Sequence, residues 1–245
     1  MRSDGWHSLI AARMKLPTIA SRQLRRQGFT IVPGPSLTGG VGQLSRAYDQ
    51  AVAAADPADV SVRSSTRVKA FVNGGPEFDG IYVYPPLLTA CCQVIEGPFK
   101  LSGMRARTLE PGAPTEALHV DVEHRADGWP IVGFIWMVDA FTGNNGATRF
   151  VPGSHLDPRN PRTVLEDTKA PHPEQVPACG PAGSLIIFHG SVWHSHTANT
   201  SAGRRRSVQG HFIPRDATAS IDHGARLHES TLQRIDGLAR YMLAS

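Results

Sequence analysis

Residues 117–122 read Ala117-Leu118-His119-Val120-Asp121-Val122, an alternating run that predicts a short β-strand near the middle of the chain. In a strand, side chains two residues apart project from the same face. We therefore expect His119 and Asp121 to lie side by side, an imidazole nitrogen next to a carboxylate oxygen. Such a pair is two-thirds of the facial triad of two histidines and one carboxylate that binds iron. Because His-x-Asp sequences are common by chance, this interpretation depends on a third ligand and a co-substrate anchor elsewhere.

The composition excludes several functional classes. The net charge of +4 on 245 residues is mild, and basic residues cluster only at 204–206, so we expect no nucleic-acid partner. Three cysteines, with Cys91 and Cys92 adjacent, favour a reducing compartment and provide neither a disulfide framework nor a cysteine metal site. The sequence shows no signal-peptide core and no apolar run of membrane-spanning length. We therefore expect a cytoplasmic protein without a membrane partner.

Outside residues 117–122, amphipathic helices come first and strands follow. Helical periodicity covers residues 19–28, 37–55 and 85–96, the second with an apolar stripe that begins at Leu37 and Val41 and is expected to face the core. Short apolar or alternating runs predict strands at 29–32, 101–109, 131–140, 148–151, 184–188, 193–197 and 205–213. This order predicts a mainly β jelly roll or sandwich flanked by helices. We expect one domain over residues 1–245, with a helical buttress at 1–100, a core at about 101–215 and a C-terminal helix at 226–243.

The last predicted strand has one polar and one largely apolar face. Arg205, Ser207, Gln209 and His211 share the polar face, which we expect to line the mouth of the barrel. A buried arginine requires an anionic partner, because an unpaired charge inside a protein is very costly. A carboxylate bound by both arms of the guanidinium is the natural match.

The third candidate ligand lies in the preceding strand, where His194 and His196 share one face. His189 is a weaker alternative. A single histidine or arginine usually has an ordinary structural role. Two histidines and one aspartate followed by an inward arginine, all on strands of one barrel, favour a metal site instead.

Residues from about 109 to 214 resemble the phytanoyl-CoA dioxygenase family of iron(II)- and 2-oxoglutarate-dependent oxygenases. The most specific match is Asn145-Gly146-Ala147-Thr148-Arg149-Phe150-Val151-Pro152-Gly153-Ser154-His155. His119-x-Asp121 precedes it, and Gly183-Ser184-Leu185-Ile186-Ile187-Phe188 and His194-x(4)-Asn199-x-Ser201-x(3)-Arg205-Arg206 follow. The resemblance implies a double-stranded β-helix, the cupin-like jelly roll.

The resemblance also assigns roles to residues. It implies His119, Asp121 and His194 as ligands of Fe(II), and Arg205 as the partner of the distal carboxylate of 2-oxoglutarate. Thr148 is expected to donate its hydroxyl to the co-substrate. His196 stands where the family commonly has serine, so it is expected either to contact 2-oxoglutarate or to compete as a ligand.

The reaction implied by the resemblance uses O₂ and releases succinate and CO₂. Asp121 matters for its outcome, because the resembling halogenases lack this carboxylate. Its presence favours hydroxylation of an unactivated C–H bond, with desaturation or epoxidation as other outcomes. The expected substrate is a small, polar or carboxylate-bearing metabolite, and Arg67, Arg107 and Trp136 are the candidate contacts.

Two other classes stay open. A non-catalytic metal- or ligand-binding protein of cupin type would keep the histidines and the aspartate but would not need Arg205 or Thr148. A structural interaction domain without metal would make the four-part pattern a coincidence. The sequence predicts either a monomer or a homodimer.

Overall fold

The computed structural model describes residues 16–123 and 130–244. Two antiparallel sheets build the protein. The strands are β1 (Phe29–Pro33), β2 (Val60–Val62), β3 (Thr66–Val68), β4 (Phe99–Leu109), β5 (Val132–Met137), β6 (Thr148–Phe150), β7 (Val176–Pro177), β8 (Ser184–His189), β9 (His194–His196) and β10 (Arg205–Pro214). The large sheet has the order β1-β8-β5-β10-β4-β3-β2, and the small sheet has the order β7-β6-β9. This is a mainly β fold with a jelly-roll core, as the sequence predicted.

Helices flank the sheets. The α-helices are α1 (Thr18–Gln27), α2 (Gly40–Ala53), α3 (Pro85–Ile95), α4 (Pro161–Val164), α5 (His223–Arg226), α6 (Glu229–Arg234) and α7 (Gly237–Leu243). Short 3₁₀ helices lie at Pro57–Asp59, Phe71–Asn73, Pro76–Phe78 and Ser154–Leu156. Within the described ranges, no helix combines the length and the apolar character needed to cross a membrane.

The large sheet has apolar side chains on both faces. Trp136 of β5 and Val208 of β10 pack with Leu44 and Leu88 of the helices in the main core. Ile135, next to Trp136 in β5, belongs to the second core between the two sheets. Successive residues of a strand point to opposite faces, so β5 is covered on both sides, as its continuous apolar sequence predicted.

The helix predictions are largely confirmed. Helix α1 ends before Gly28, whose φ of 82° is the left-handed conformation that glycine adopts without strain. Helix α2 begins at Gly40, three residues later than the sequence indicated. Val41 therefore lies in its first turn and is 49% exposed, so the expectation that Val41 faces the core is wrong.

Two predicted elements differ from the structure. Residues 117–122 form no strand, and their pairing reduces to one bridge between His119 and His194. The helix expected at 226–243 is divided into α5, α6 and α7. Asp236 starts a new helix there, because its side chain accepts a hydrogen bond from the backbone of Ala239 at 2.8 Å.

The boundary expected at residue 101 does not separate a helical buttress from the β-sheet core. Strands β1, β2 and β3 precede it and lie in the large sheet. The segment 61–67, which the sequence left open between a loop and an edge strand, is the β2–β3 hairpin at the edge of that sheet. That residues 1–245 form one domain stays a prediction.

Candidate metal centre

His119, Asp121 and His194 meet at one point between the sheets. One possible ligand atom from each lies within 4.8 Å of the others. His194 Nε2 is 3.7 Å from Asp121 Oδ2. The backbone sets this arrangement: His119 and His194 exchange two N–H···O hydrogen bonds of 3.0 Å, and the N–H of Asp121 donates to Gly190 O at 2.8 Å. The segment thus places both side chains together without being a regular strand.

Both histidines have the tautomer that a metal ligand needs. His119 Nδ1 is 2.9 Å from Ala117 O, and His194 Nδ1 is 2.9 Å from Val192 O. A carbonyl oxygen only accepts, so each Nδ1 carries the proton and each Nε2 offers a lone pair. Burial lowers the pKa of His194 to about 4, so this imidazole is neutral near pH 7. Two imidazoles and one carboxylate are the donor set that suits non-haem Fe(II).

His211 is a site residue whose partner the sequence did not show. Its Nε2 lies 2.8 Å from Asp121 Oδ2. Burial acts to raise the pKa of Asp121, but His211 and His194 outweigh it and hold that pKa well below its usual range. The carboxylate is thus ionised and held by a neighbour outside the triad. Its place on the polar face of β10, with Arg205, was the signal that could have found His211.

A cavity of about 140 Å³ surrounds these groups. Its lining includes the three triad residues, His211 and a set of other polar side chains: Arg67, Arg105, Arg107, Glu116, Thr148, Ser195, His196, Arg205 and Gln209. The expectation that the polar face of β10 faces a pocket at the mouth of the barrel is met for Arg205, Gln209 and His211, which line this cavity.

Arg205 is a buried cation with donors to spare. It is 1% exposed, and its guanidinium carbon lies 4.3 Å from the centre of the Phe141 ring. Its side-chain hydrogen bond is a long one, 3.4 Å from Nη1 to Ser207 Oγ. Among the residues that the structure describes, its Nε has no acceptor. Burial lowers the pKa of Arg205, which shows how poorly its own protein compensates the charge.

Thr148 and His196 face each other across β6 and β9 beside this arginine. Thr148 is 4% exposed and lines the cavity. His196 Nδ1 is 2.9 Å from Thr197 O, and its Nε2 lies 3.6 Å from Glu116, beyond hydrogen-bond distance. Burial lowers the pKa of His196 to about 4. This histidine is in the cavity and outside the triad.

The substrate contacts expected from the sequence are only partly in the cavity. Arg67 and Arg107 line it, but both are paired with Glu116, at 3.3 Å each. Trp136 lies outside it in the main core, and its Nε1 donates to Gly183 O at 3.3 Å. Its parity in β5 explains this, because the residues on either side of Trp136 face the other sheet. Glu116 itself was missed, since nothing in its local sequence indicates that it pairs with two arginines, Arg67 and Arg107.

His189, the weaker alternative ligand, does not line the cavity. Its Nδ1 accepts a hydrogen bond of 3.1 Å from the backbone N–H of Ser191. It is not a member of the cluster formed by the triad.

The sequence of this chain is similar to a family model and to curated proteins. Residues 100–207 match the sequence model described as phytanoyl-CoA dioxygenase (PhyH). Dioxygenase andF of Emericella variicolor is 31% identical over 172 residues, covering 64% of this chain and 57% of that protein. Dioxygenase trt7 of Aspergillus terreus is 35% identical over 137 residues, covering 52% and 45%. The chain thus spans about half the length of these curated relatives.

Solved structures share the fold. HygX from Streptomyces hygroscopicus, determined with nickel and 2-oxoglutarate bound, superposes with a TM-score of 0.68 at 15% identity, covering 84% of this chain and 90% of that one. SnoN, described as a non-heme alpha ketoglutarate dependent epimerase from nogalamycin biosynthesis, gives 0.65 at 20% identity, covering 80% and 82%. At such identities the likeness establishes the architecture and leaves the chemistry to the residues of the site.

Proposed function

Residues 100–207 match the sequence model of the phytanoyl-CoA dioxygenase family, and from this premise we propose that the chain belongs to this family and is an iron(II)- and 2-oxoglutarate-dependent dioxygenase. Its proposed reaction is hydroxylation of an unactivated C–H bond in a small-molecule metabolite, with release of succinate and CO₂. Desaturation and epoxidation are other outcomes that the same residues allow. We extend the proposal to one oxygenase domain over residues 1–245.

One observation supports this function above the others. The buried Arg205 has unused donors and lines the same cavity as His119, Asp121 and His194. A protein that only bound a metal would have no reason to bury this charge without a carboxylate, because such burial is costly. A dicarboxylate co-substrate would supply the missing partner inside the cavity that the triad also lines.

The residues would divide the work as follows. His119, Asp121 and His194 would hold Fe(II), with His211 keeping the Asp121 carboxylate in position. When bound, iron with 2-oxoglutarate and O₂ supplies the oxidising chemistry that the protein's own side chains lack. Arg205 would bind the distal carboxylate of 2-oxoglutarate with two parallel N–H···O bonds, and Thr148 would donate its hydroxyl to the same molecule. The neutral His196 would complete the wall beside them.

Burial is the second contribution of this chain. His194 is 6% exposed and Arg205 is 1% exposed, so these two groups of the cavity are shielded from bulk water. Such shielding strengthens every charged contact inside and protects reactive species from side reactions. Asp121 occupies the ligand position that the resembling halogenases leave free, which favours oxygenation over halogenation.

Iron affinity tests the proposed ligand set. We expect His194→Ala to lower the affinity for Fe(II), measured anaerobically by equilibrium dialysis, by at least about 10-fold, whereas His196→Ala keeps it within about 3-fold. Fe(II)-dependent succinate formation should be lost with His194→Ala. Full iron affinity in His194→Ala together with its loss in His196→Ala would show that His196 is the ligand.

A further inference from the structure

Arg105 is a second arginine of the cavity that has no hydrogen-bonded partner among the described residues. It lies on β4 directly opposite Gln209 of β10, so both side chains project from the same face. Both line the cavity of the metal centre. The Arg105 guanidinium makes no hydrogen bond or ion pair with any residue in the ranges 16–123 and 130–244. Burial lowers the pKa of Arg105, and the charges of Asp121 and Glu116 act against this lowering without forming an ion pair with it.

The two arginines next to Arg105 in the sheet, unlike Arg105, form ion pairs. Arg107 lies two residues further along β4, and Arg67 is its cross-strand partner on β3. Both are compensated by Glu116 at 3.3 Å. The sequence indicated Arg67 and Arg107 as substrate contacts, but both guanidinium groups form ion pairs with Glu116. Arg105 is the one whose donors remain available in this group.

A second cavity of about 180 Å³ adjoins the first at Arg105, Gln209 and His211, which line both. It continues to Lys69, Ser220 and Ile221, and Lys69 is exposed at this end. Neither Arg205 nor Thr148 lines it. Among the described residues, no carboxylate lines this second cavity. Arg105 thus stands at the junction between the metal centre and a positively charged side space.

The charges of the loaded site remain unbalanced. Four arginines line the main cavity, at 67, 105, 107 and 205, against the two carboxylates of Glu116 and Asp121 among the described residues. A divalent iron and the dianion of 2-oxoglutarate cancel each other. Two positive charges are left over among these groups. A substrate with one carboxylate would compensate one of them, whereas a neutral or cationic substrate would compensate neither.

We propose that the substrate is a small carboxylic acid whose carboxylate binds Arg105 and Gln209 and whose body occupies the adjoining cavity. The inference rests on the proposed function and narrows its substrate class. The planar fork of arginine matches a carboxylate, and the Gln209 amide supplies a further polar contact. The near carboxylate of 2-oxoglutarate is the other source of the same chemistry. The substrate is favoured because Arg105 also lines the space that the anchor residues Arg205 and Thr148 do not reach.

Matched acids and amides test this assignment on the anaerobic protein with Fe(II) and saturating 2-oxoglutarate. The probes are phenylacetate with phenylacetamide, and cyclohexanecarboxylate with its amide. Their binding is measured by the change in the visible charge-transfer band. We expect each acid to bind at least about 10-fold more tightly than its amide, since a charged hydrogen bond contributes that much. Arg105→Gln should remove this preference, and Arg105→Lys should restore part of it.

The control is Arg159→Gln, an exposed arginine paired with Asp157 on another loop, which should keep the full preference. The affinity for 2-oxoglutarate should stay within about 2-fold in Arg105→Gln. The assignment is overturned if acids and amides bind alike in the wild type, or if Arg105→Gln weakens 2-oxoglutarate instead. Absence of the band itself in the wild type would be a failure of the proposed function and is seen before any probe is added.

Discussion

Arg149 and Arg205 are equally buried, at 2% and 1% exposure, yet their surroundings are opposite. Arg149 donates to six acceptors, two of them side chains: Ser195 Oγ, Gln175 Oε1 and the carbonyl oxygens of Glu116, Thr168, Lys169 and Ala170. Arg205 has one long contact with Ser207 and the face of the Phe141 ring. Burial is therefore no guide to function by itself. What separates a structural arginine from a ligand-binding one is the number of donors that the protein satisfies.

The largest effect on stability is expected when Arg149, the structural arginine of this pair, is replaced. Arg149→Met should lower the free energy of unfolding by roughly 3–5 kcal/mol, because several buried acceptors lose their donor together. Urea denaturation followed by circular dichroism measures the change. A loss below about 1 kcal/mol would mean that water replaces the guanidinium without difficulty.

Arg205→Met should have the reverse profile. Its stability should be equal to or above that of the wild type, because an apolar side chain of similar volume removes an uncompensated buried charge. Its affinity for 2-oxoglutarate should fall by roughly 30-fold or more, as expected when one partner of a buried charge pair is removed. Calorimetric titration with Fe(II) present gives the affinity. Marked destabilisation of this variant would place Arg205 with Arg149 among the structural residues.

Glu116 contacts both the structural Arg149 and the arginines that line the cavity beside Arg205. Its replacement therefore tests how strongly these two regions depend on each other. Its backbone oxygen accepts from Arg149, whereas its carboxylate holds Arg67 and Arg107. Glu116→Gln keeps the backbone contact and removes the charge, and we expect a stability loss of about 1–2 kcal/mol. Denaturation under the conditions used for Arg149→Met checks this value. A loss as large as that of Arg149→Met would show that the carboxylate, and not the backbone, is the main connection.

The smallest effect is expected next to Arg205 in the sequence. Arg204 is half exposed and pairs with Asp49 at 2.8 Å. Arg204→Gln should change stability by less than about 1 kcal/mol and leave the affinity for 2-oxoglutarate unaltered. Both assays used for Arg205→Met apply to it. A loss of co-substrate affinity in this variant would indicate a general electrostatic effect of the basic run and not a specific contact of Arg205.

Local patterns predicted the features that depend on strand parity. The polar face of β10 carries Arg205, Gln209 and His211 into the cavity, as alternation along one strand requires. His119 and Asp121 also lie together, although the backbone there is held by one bridge to His194 and not by a regular ladder. The predicted proximity of His119 and Asp121 is therefore found, but an isolated bridge produces it and not the predicted strand.

Features that depend on pairing between distant segments could not be predicted. The contact of His211 with Asp121 joins residues separated by 90 positions, and the contact of Arg67 with Glu116 joins residues separated by 49. Both contacts depend on how the irregular segment with Glu116 and Asp121 lies against β3 and β10, and no single segment of the sequence encodes that placement. The same holds for Trp136, because a strand that is apolar throughout does not indicate which face meets the helices.

The most direct test of the account is the visible charge-transfer band of the anaerobic protein with Fe(II) and 2-oxoglutarate. In the proposed function, Fe(II) held by His119, Asp121 and His194 together with bound 2-oxoglutarate would give this band. We predict that the wild type and Arg204→Gln form the band at the same concentration of 2-oxoglutarate, and that Arg205→Met needs roughly 30-fold more. A wild type without the band, or an Arg205→Met protein that forms it as readily as the wild type, would contradict the account.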